Sequence, residues 1–164
     1  MIRLIVAADQ KRGIAKKGIQ PWYIPEDEAY FGRQTKLHGA QVLVGSTTFK
    51  TFSEPLAERT NYVLTRNTEP VEGAVVVNNL DAFLEDHNNQ DLWVIGGAAV
   101  FEQVMQSGKA DELYVTHIEA DFGCDQFFPA YEDAFVLREQ SETRQQNGFR
   151  FSYAIYDKVE PSAT

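Results

Sequence analysis

The chain has 164 residues, 43% of them hydrophobic, enough for one domain with a buried core and too few for two of ordinary size. No run reaches the roughly 18 apolar residues of a membrane-spanning helix, MIRLIVAADQKRG turns polar too early for a secretory signal, and the single cysteine, Cys124, gives neither an internal disulfide nor a multi-cysteine zinc site. The formal charge of −9 argues against broad contact with nucleic acid and reads as solubility, so an anionic ligand would need a local positive patch.

In chain order, short β-branched runs alternate with short amphipathic segments. The runs are RLIVAA at 3–8, QVLVG at 41–45, NYVLT at 61–65, AVVV at 74–77, LWVIG at 92–96 and ELYVTHIE at 112–119. Continuous apolar stretches such as LIVAA and LWVI suit strands covered on both faces, as in a mainly parallel sheet. Helices are predicted at 25–36, 47–52, 80–87 and 98–106, with Asn79 as an N-cap for the third and Gly108 as a stop for the fourth. After Pro129 two long strand-like runs, AFVLREQSETR and GFRFSYAIYDKV, meet at Gln146, Asn147 and Gly148, where Asn-Gly signals an antiparallel hairpin. The expected fold class is α/β: one domain over 1–160, a mainly parallel central sheet of about eight strands with a C-terminal antiparallel hairpin, about four flanking helices, and a frayed tail at 161–164.

The segment QPWYIPEDEAYF at 20–31 carries three consecutive acids. Pro25 suits a first helical turn, and acids there oppose the helix dipole. Helical spacing separates the three: Asp27 lies one turn before Phe31, whereas Glu26 shares a face with Tyr30 and Arg33. If the Asp27 face lines a cavity, it offers a carboxylate beside an aromatic wall, suited to a flat heterocycle with an amidine-like N–H pair. Alternatively Phe31 is core and Asp27 an exposed dipole partner; the segment alone leaves both open.

Other stretches bear on that choice. RGIAKKGIQPW is a long connection between the first strand and the first helix, a candidate lid. Gly96-Gly97 stands where a buried strand ends and a helix begins, which permits close backbone approach and offers helix N–H groups to a phosphate. The pair is more often only a tight turn, and it does not match the GxGxxG pattern. VGSTTF at 44–49 and LTR at 64–66 are further strand ends carrying hydroxyl and guanidinium donors.

Taken together, GIAKKGIQPW, PEDEAYF, VGSTTF, PLAERTNYVLTR, VIGGAAVFEQ, YVTHIEADFGCDQFFP and FRFSYAIY resemble, in order and spacing, the dihydrofolate reductase family over nearly the whole chain. The resemblance implies that Asp27 is the pterin-binding acid, with Trp22 and Thr116 in the polar network around it. It places Ile5, Ala7, Glu28, Phe31 and Ile95 at the substrate, and Arg59 at the glutamyl carboxylate. For NADPH it implies Ala7 and Ile14 near the nicotinamide, Ile95 also among the cofactor-binding residues, Gly45, Thr47 and Thr48 near the pyrophosphate and neighbouring groups, and Ser46 where many members meet the adenosine ribose phosphate with an arginine. Leu64, Thr65 and Arg66 then fall at the adenosine end, with Gly96, Gly97, Ala98, Ala99, Val100 and Phe101 along the diphosphate. Gly96-Gly97 resembles the family's cis peptide, and Asp125 a loop acid that holds the lid.

Several positions depart from the commoner family pattern. Ala15 replaces a lid glycine, Gln20 an apolar residue, and Phe101 a tyrosine. Glu28 stands where an apolar residue usually meets the substrate's benzoyl group. His117 follows the family's Thr but points to the opposite sheet face as its strand neighbour, and reads as structural.

The chemistry implied is hydride transfer from the reduced nicotinamide to the imine carbon of 7,8-dihydrofolate, with a proton reaching the adjacent nitrogen from water. Asp27 would then face the pocket and Glu26 solvent, leaving Glu28 open. Two alternatives stand beside this: the related reductase of riboflavin synthesis, against which PW…PEDEAYF and Arg59 argue, and a pterin- or nucleotide-binding homologue without turnover. The protein is expected to be a cytoplasmic monomer with a small-molecule substrate, no nucleic-acid or membrane partner and no metal.

Overall fold

The computed structural model describes residues 1–160; the expected frayed tail at 161–164 lies outside them. Fifteen elements follow in the order β1 (Ile2–Ala8), β2 (Gly13–Ala15), α1 (Pro25–Thr35), β3 (Gln41–Gly45), α2 (Ser46–Phe49), β4 (Thr60–Leu64), β5 (Val75–Val77), α3 (Leu80–Asp86), β6 (Leu92–Gly96), α4 (Ala98–Gln106), β7 (Glu112–Ile118), β8 (Gln126–Phe127), β9 (Phe135–Gln140), β10 (Arg144–Gln146) and β11 (Phe149–Lys158). The central sheet has the order β10-β11-β7-β1-β6-β3-β4-β5, and β9 also pairs with β11. From β7 to β5 the pairing is parallel, while β11 runs antiparallel to β7, β9 and β10.

The apolar runs become the central strands because both of their faces are covered. Along β1, Leu4 enters a core cluster with Val94, Leu113, Val100 and Phe101, and its neighbour Ile5 enters another with Val42, Trp93, Tyr30 and Phe31. Alternation along the strand therefore puts α4 against one face and α1 against the other. Leu4, Leu43, Val94 and Leu113 are fully buried. Truncating one such leucine to alanine costs about 2–5 kcal/mol.

Local signals account for most boundaries. Asn79 caps α3 by accepting from the Ala82 N–H at 3.0 Å. Gly108, at φ +74°, follows the C-cap Ser107 and stops α4, its N–H donating to the Met105 carbonyl at 3.2 Å. Asn147 and Gly148 have φ of 57° and 83°, the two positive values of a type I′ turn, and bring Gln146 opposite Phe149.

Three details differ from the sequence reading. The run 134–144 is two strands: at Ser141 the backbone N–H still donates to the Tyr153 carbonyl at 2.8 Å, but the Tyr153 N–H is taken by the Ser141 hydroxyl at 2.9 Å, and regular pairing resumes only at Arg144. The helix expected at 47–52 is the single turn Ser46–Phe49, followed by turn residues. An unforeseen small sheet pairs β2 with β8, tying the start of the connection after β1 to the segment before Pro129.

Candidate active site

A cavity of about 520 Å³ opens beyond the carboxyl ends of β1, β3 and β6, where open α/β sheets place ligands. Twelve of the residues singled out from the sequence line it: Ile5, Ala7, Ile14, Asp27, Glu28, Phe31, Thr47, Thr48, Ile95, Gly97, Phe101 and Thr116. The remaining walls come from Val6, Gly18, Tyr30, Thr51, Phe52, Leu56 and Gln126, which sequence reasoning missed, and from Ala15 and Gln20. Phe52 and Leu56 carried a signal, being the large apolar residues of the loop that follows α2.

Asp27 sits in this cavity and is 8% exposed. The Thr116 hydroxyl donates to its Oδ1 at 2.7 Å, so α1 and β7 meet at the acid. Burial lifts the carboxyl from 3.8 to about 6, opposed by the Thr116 bond and reinforced by the nearby carboxylates of Glu28 and, less strongly, Glu26. Trp22 is buried and packs on Phe122 with ring centroids 5.2 Å apart; its indole N–H has no partner among the described residues and the side chain does not line the cavity.

The other two acids of the triplet part ways. Glu26 is not simply solvent-facing: Arg144 donates to its Oε1 at 2.6 Å, and its backbone N–H donates to Gln146 Oε1 at 2.7 Å. Together these bonds staple the first turn of α1 to β10. The Arg144 guanidinium also lies over the Tyr153 ring, which stacks on Tyr30 at 4.0 Å. Glu28 is exposed and lies on the cavity wall.

On the other side of the cavity, glycines let neighbouring side chains approach the backbone closely. A Cβ on Gly97 would stand 2.9 Å from Thr48 Oγ1, and one on Gly45 2.9 Å from Val100 Cγ2. Gly96 has φ +113°, a value side-chain-bearing residues rarely adopt, and the Gly96-Gly97 peptide is cis. Neither α2 nor α4 has a side-chain cap at its N-terminus, so the first N–H groups of the nine-residue α4 are left for another acceptor.

The family model for dihydrofolate reductase matches residues 1–158. The chain belongs to the dihydrofolate reductase family. It is similar to the dihydrofolate reductase of Aedes albopictus, 33% identical over 95% of this chain and 96% of that one, and to that of Bacillus subtilis, 32% identical over 99% and 97%. The solved structure of dihydrofolate reductase from Enterococcus faecalis complexed with NADP(H) and RAB-propyl superposes with a TM-score of 0.85 at 26% identity, covering 98% of this chain and 97% of that one.

Other residues of the family reading lie around the cavity rather than on its wall. Arg59 is held at the far end of α1, donating to Thr35 Oγ1 at 2.8 Å and to the Ala57 carbonyl at 2.9 Å, and burial lowers its pKa. Gly45, Ser46, Leu64, Thr65, Arg66, Gly96, Ala98, Ala99 and Val100 are off the lining. Thr65 and the exposed Arg66 follow the end of β4, where the Thr65 hydroxyl accepts from the Asn67 N–H at 3.1 Å.

The first half of the connection after β1 is anchored by two acids. Buried Asp9 accepts from the Gly13 and Lys11 N–H groups through Oδ1, at 2.7 and 2.9 Å, and from the Phe122 N–H through Oδ2 at 3.1 Å. Asp125 accepts from the Lys17 N–H at 3.0 Å, and its own N–H donates to the Ala15 carbonyl at 3.0 Å. Cys124 touches this knot, where burial and Asp9 push its thiol up to about 11, outside the reactive range. His117 faces the other side of the sheet, with Nε2 2.7 Å from the Tyr156 hydroxyl, and burial lowers its pKa.

Proposed function

We propose that the protein catalyses the NADPH-dependent reduction of 7,8-dihydrofolate to 5,6,7,8-tetrahydrofolate, supplying one-carbon metabolism. The observation that carries this is one buried carboxylate, Asp27, in an otherwise largely apolar cavity that continues to the glycine-lined N-terminus of α4. Family membership and the likeness to an NADP(H)-bound dihydrofolate reductase support the same reading. When bound, the reduced nicotinamide supplies the hydride.

The chain's own residues bind, orient and shield. Asp27 offers two acceptor oxygens, one already fixed by Thr116, to the amino and ring N–H groups of the pterin. Those hydrogen bonds favour the charged carboxylate that burial disfavours. Ile5, Ala7, Phe31 and Ile95 confine the ring, and Arg59, pre-positioned by Thr35, receives the glutamyl carboxylate. Gly97, Thr47, Thr48 and Phe101 would hold the cofactor on the same cavity, with Ser46, Thr65 and Arg66 reaching its adenosine end. Holding two rings together at reactive distance and excluding water are the protein's main contributions to such a transfer.

Residues 1–160 form one catalytic domain acting as a cytoplasmic monomer. No helix of the described residues is long and apolar enough to cross a membrane. Steady-state consumption of NADPH with dihydrofolate tests the reaction, and sedimentation of the purified chain tests the monomer. Binding of both ligands without turnover would leave a non-catalytic homologue as the better description.

A further inference from the structure

Charge is distributed unevenly around the cavity. Glu28 lines it from the first turn of α1 and is exposed. Its neighbour Glu26 is held by Arg144, but Glu28 enters no ion pair among the described residues. The field of the Glu28 carboxylate reaches into the pocket, since it raises Asp27 more than Glu26 does. Phe31 follows Glu28 by one turn of α1 and packs in one apolar cluster with Leu56, and both line the cavity with Glu28. The cation on this side, Arg59, is tied to Thr35, seven residues along α1 and therefore about 10 Å from Glu28 along the helix axis. A ligand whose ring is held at Asp27 thus passes an unpaired carboxylate before it comes to the arginine.

We propose that Glu28 is a specificity-determining residue that sorts ligands by the charge of the group leaving the pocket beside it, favouring ammonium-bearing and neutral arms over carboxylates placed there. The inference rests on the reading of the cavity as a heterocycle site anchored at Asp27. A carboxylate carried far enough to meet Arg59 escapes the penalty, so a long benzoyl-glutamyl arm is accepted while a short acidic arm is rejected. An apolar residue at this position would extend the wall without discriminating by charge. The interaction is between partly exposed charges, so it is modest and is screened by salt.

The test uses three 2,4-diaminopyrimidines that are identical except for a short side arm ending in a methyl ester, a carboxylate or an ammonium. Dissociation constants are measured for the full chain, Glu28→Gln, Glu28→Leu and the control Glu102→Gln, which removes an exposed carboxylate on α4 away from the cavity lining. The intact protein is expected to rank ammonium above carboxylate. Both Glu28 variants should narrow that ratio about three- to tenfold, with the ester nearly unmoved and the effect shrinking as ionic strength rises. Glu102→Gln should leave the ratio alone. A ratio unchanged in both Glu28 variants, or the same change for all three compounds, overturns the inference while leaving the site reading intact. Failure of the ester to bind the intact protein overturns the site reading and this inference with it.

Discussion

Thr116 donates to Asp27 across 89 residues of sequence, and the 2.7 Å bond joins the strand beside β1 to the first turn of α1. It fixes one carboxylate oxygen and leaves the other for a ligand. In the ligand-free protein it opposes burial only in part, since Asp27 still titrates near 6.

This has a sign that can be measured. Asp27 is raised on folding, so its ionisation costs nothing below the unfolded value of 3.8, and the cost grows as pH rises toward about 6 and is constant above. Asp27→Asn is therefore expected to stabilise the ligand-free protein by about 1–3 kcal/mol at pH 7 to 8, with the gain vanishing below about pH 4. The same variant should lose most dihydrofolate turnover, because an amide cannot offer the pterin two acceptors. Chemical unfolding across pH, with parallel rates, checks both halves. Glu26→Gln, which removes one partner of a half-exposed pair with Arg144, should cost less than about 1 kcal/mol of stability and little turnover.

Gly97→Ala places a methyl 2.9 Å from Thr48 Oγ1 at the mouth of the α4 cradle. NADPH affinity is expected to fall at least about tenfold, roughly 1.4 kcal/mol, while affinity for a pterin at Asp27 changes little. Thr48→Ala in the same chain should recover part of the loss. Titration with each ligand separates the two effects, and equal weakening of both would place Gly97 outside the cofactor site.

Arg59→Ala is expected to weaken folates carrying the glutamyl tail by about 1.5–3 kcal/mol, the scale of a charge-assisted hydrogen bond, and to spare tail-less pterins. Its anchoring to Thr35 and Ala57 means the guanidinium is already positioned before the ligand arrives. Equal losses for both ligand types would remove it from the substrate site.

Under the proposed function, Ser46 stands at the cofactor's adenosine end as a neutral donor and Arg66, which is exposed, stands there as the cation. Arg66→Ala should weaken NADPH about 10- to 100-fold and leave NADH nearly unchanged. A parallel loss for both would mean that Arg66 only stacks on the adenine they share.

The legible parts of this fold were those set by local chemistry. LIVAA and LWVI are apolar on both faces, Asn79 caps, and Asn147-Gly148 takes the two positive φ values a tight hairpin needs. Helical spacing alone put Asp27 on Phe31's face but left burial undecided; Thr116, 89 residues away, supplies the bond that spacing could not show. For the same reason Glu26 was read as solvated, since its partner Arg144 lies in a strand that only the folded hairpin brings near. The β2–β8 pair escaped notice because two and three residues carry too little periodicity to register, and its pairing is wholly non-local. Tyr30 lines the cavity and stacks on Tyr153, a contact invisible in the order of residues.

The decisive measurement is the rate of NADPH oxidation by the purified chain with and without 7,8-dihydrofolate, followed by loss of the reduced-nicotinamide absorbance and compared with Asp27→Asn. Oxidation that requires dihydrofolate, yields tetrahydrofolate in equal amount and falls at least about a hundredfold in the variant, roughly 2.7 kcal/mol of transition-state stabilisation, is the expected result. No dihydrofolate-dependent oxidation by the intact chain, or equal rates for the two proteins, would contradict the assignment of this cavity as a dihydrofolate reductase active site centred on Asp27.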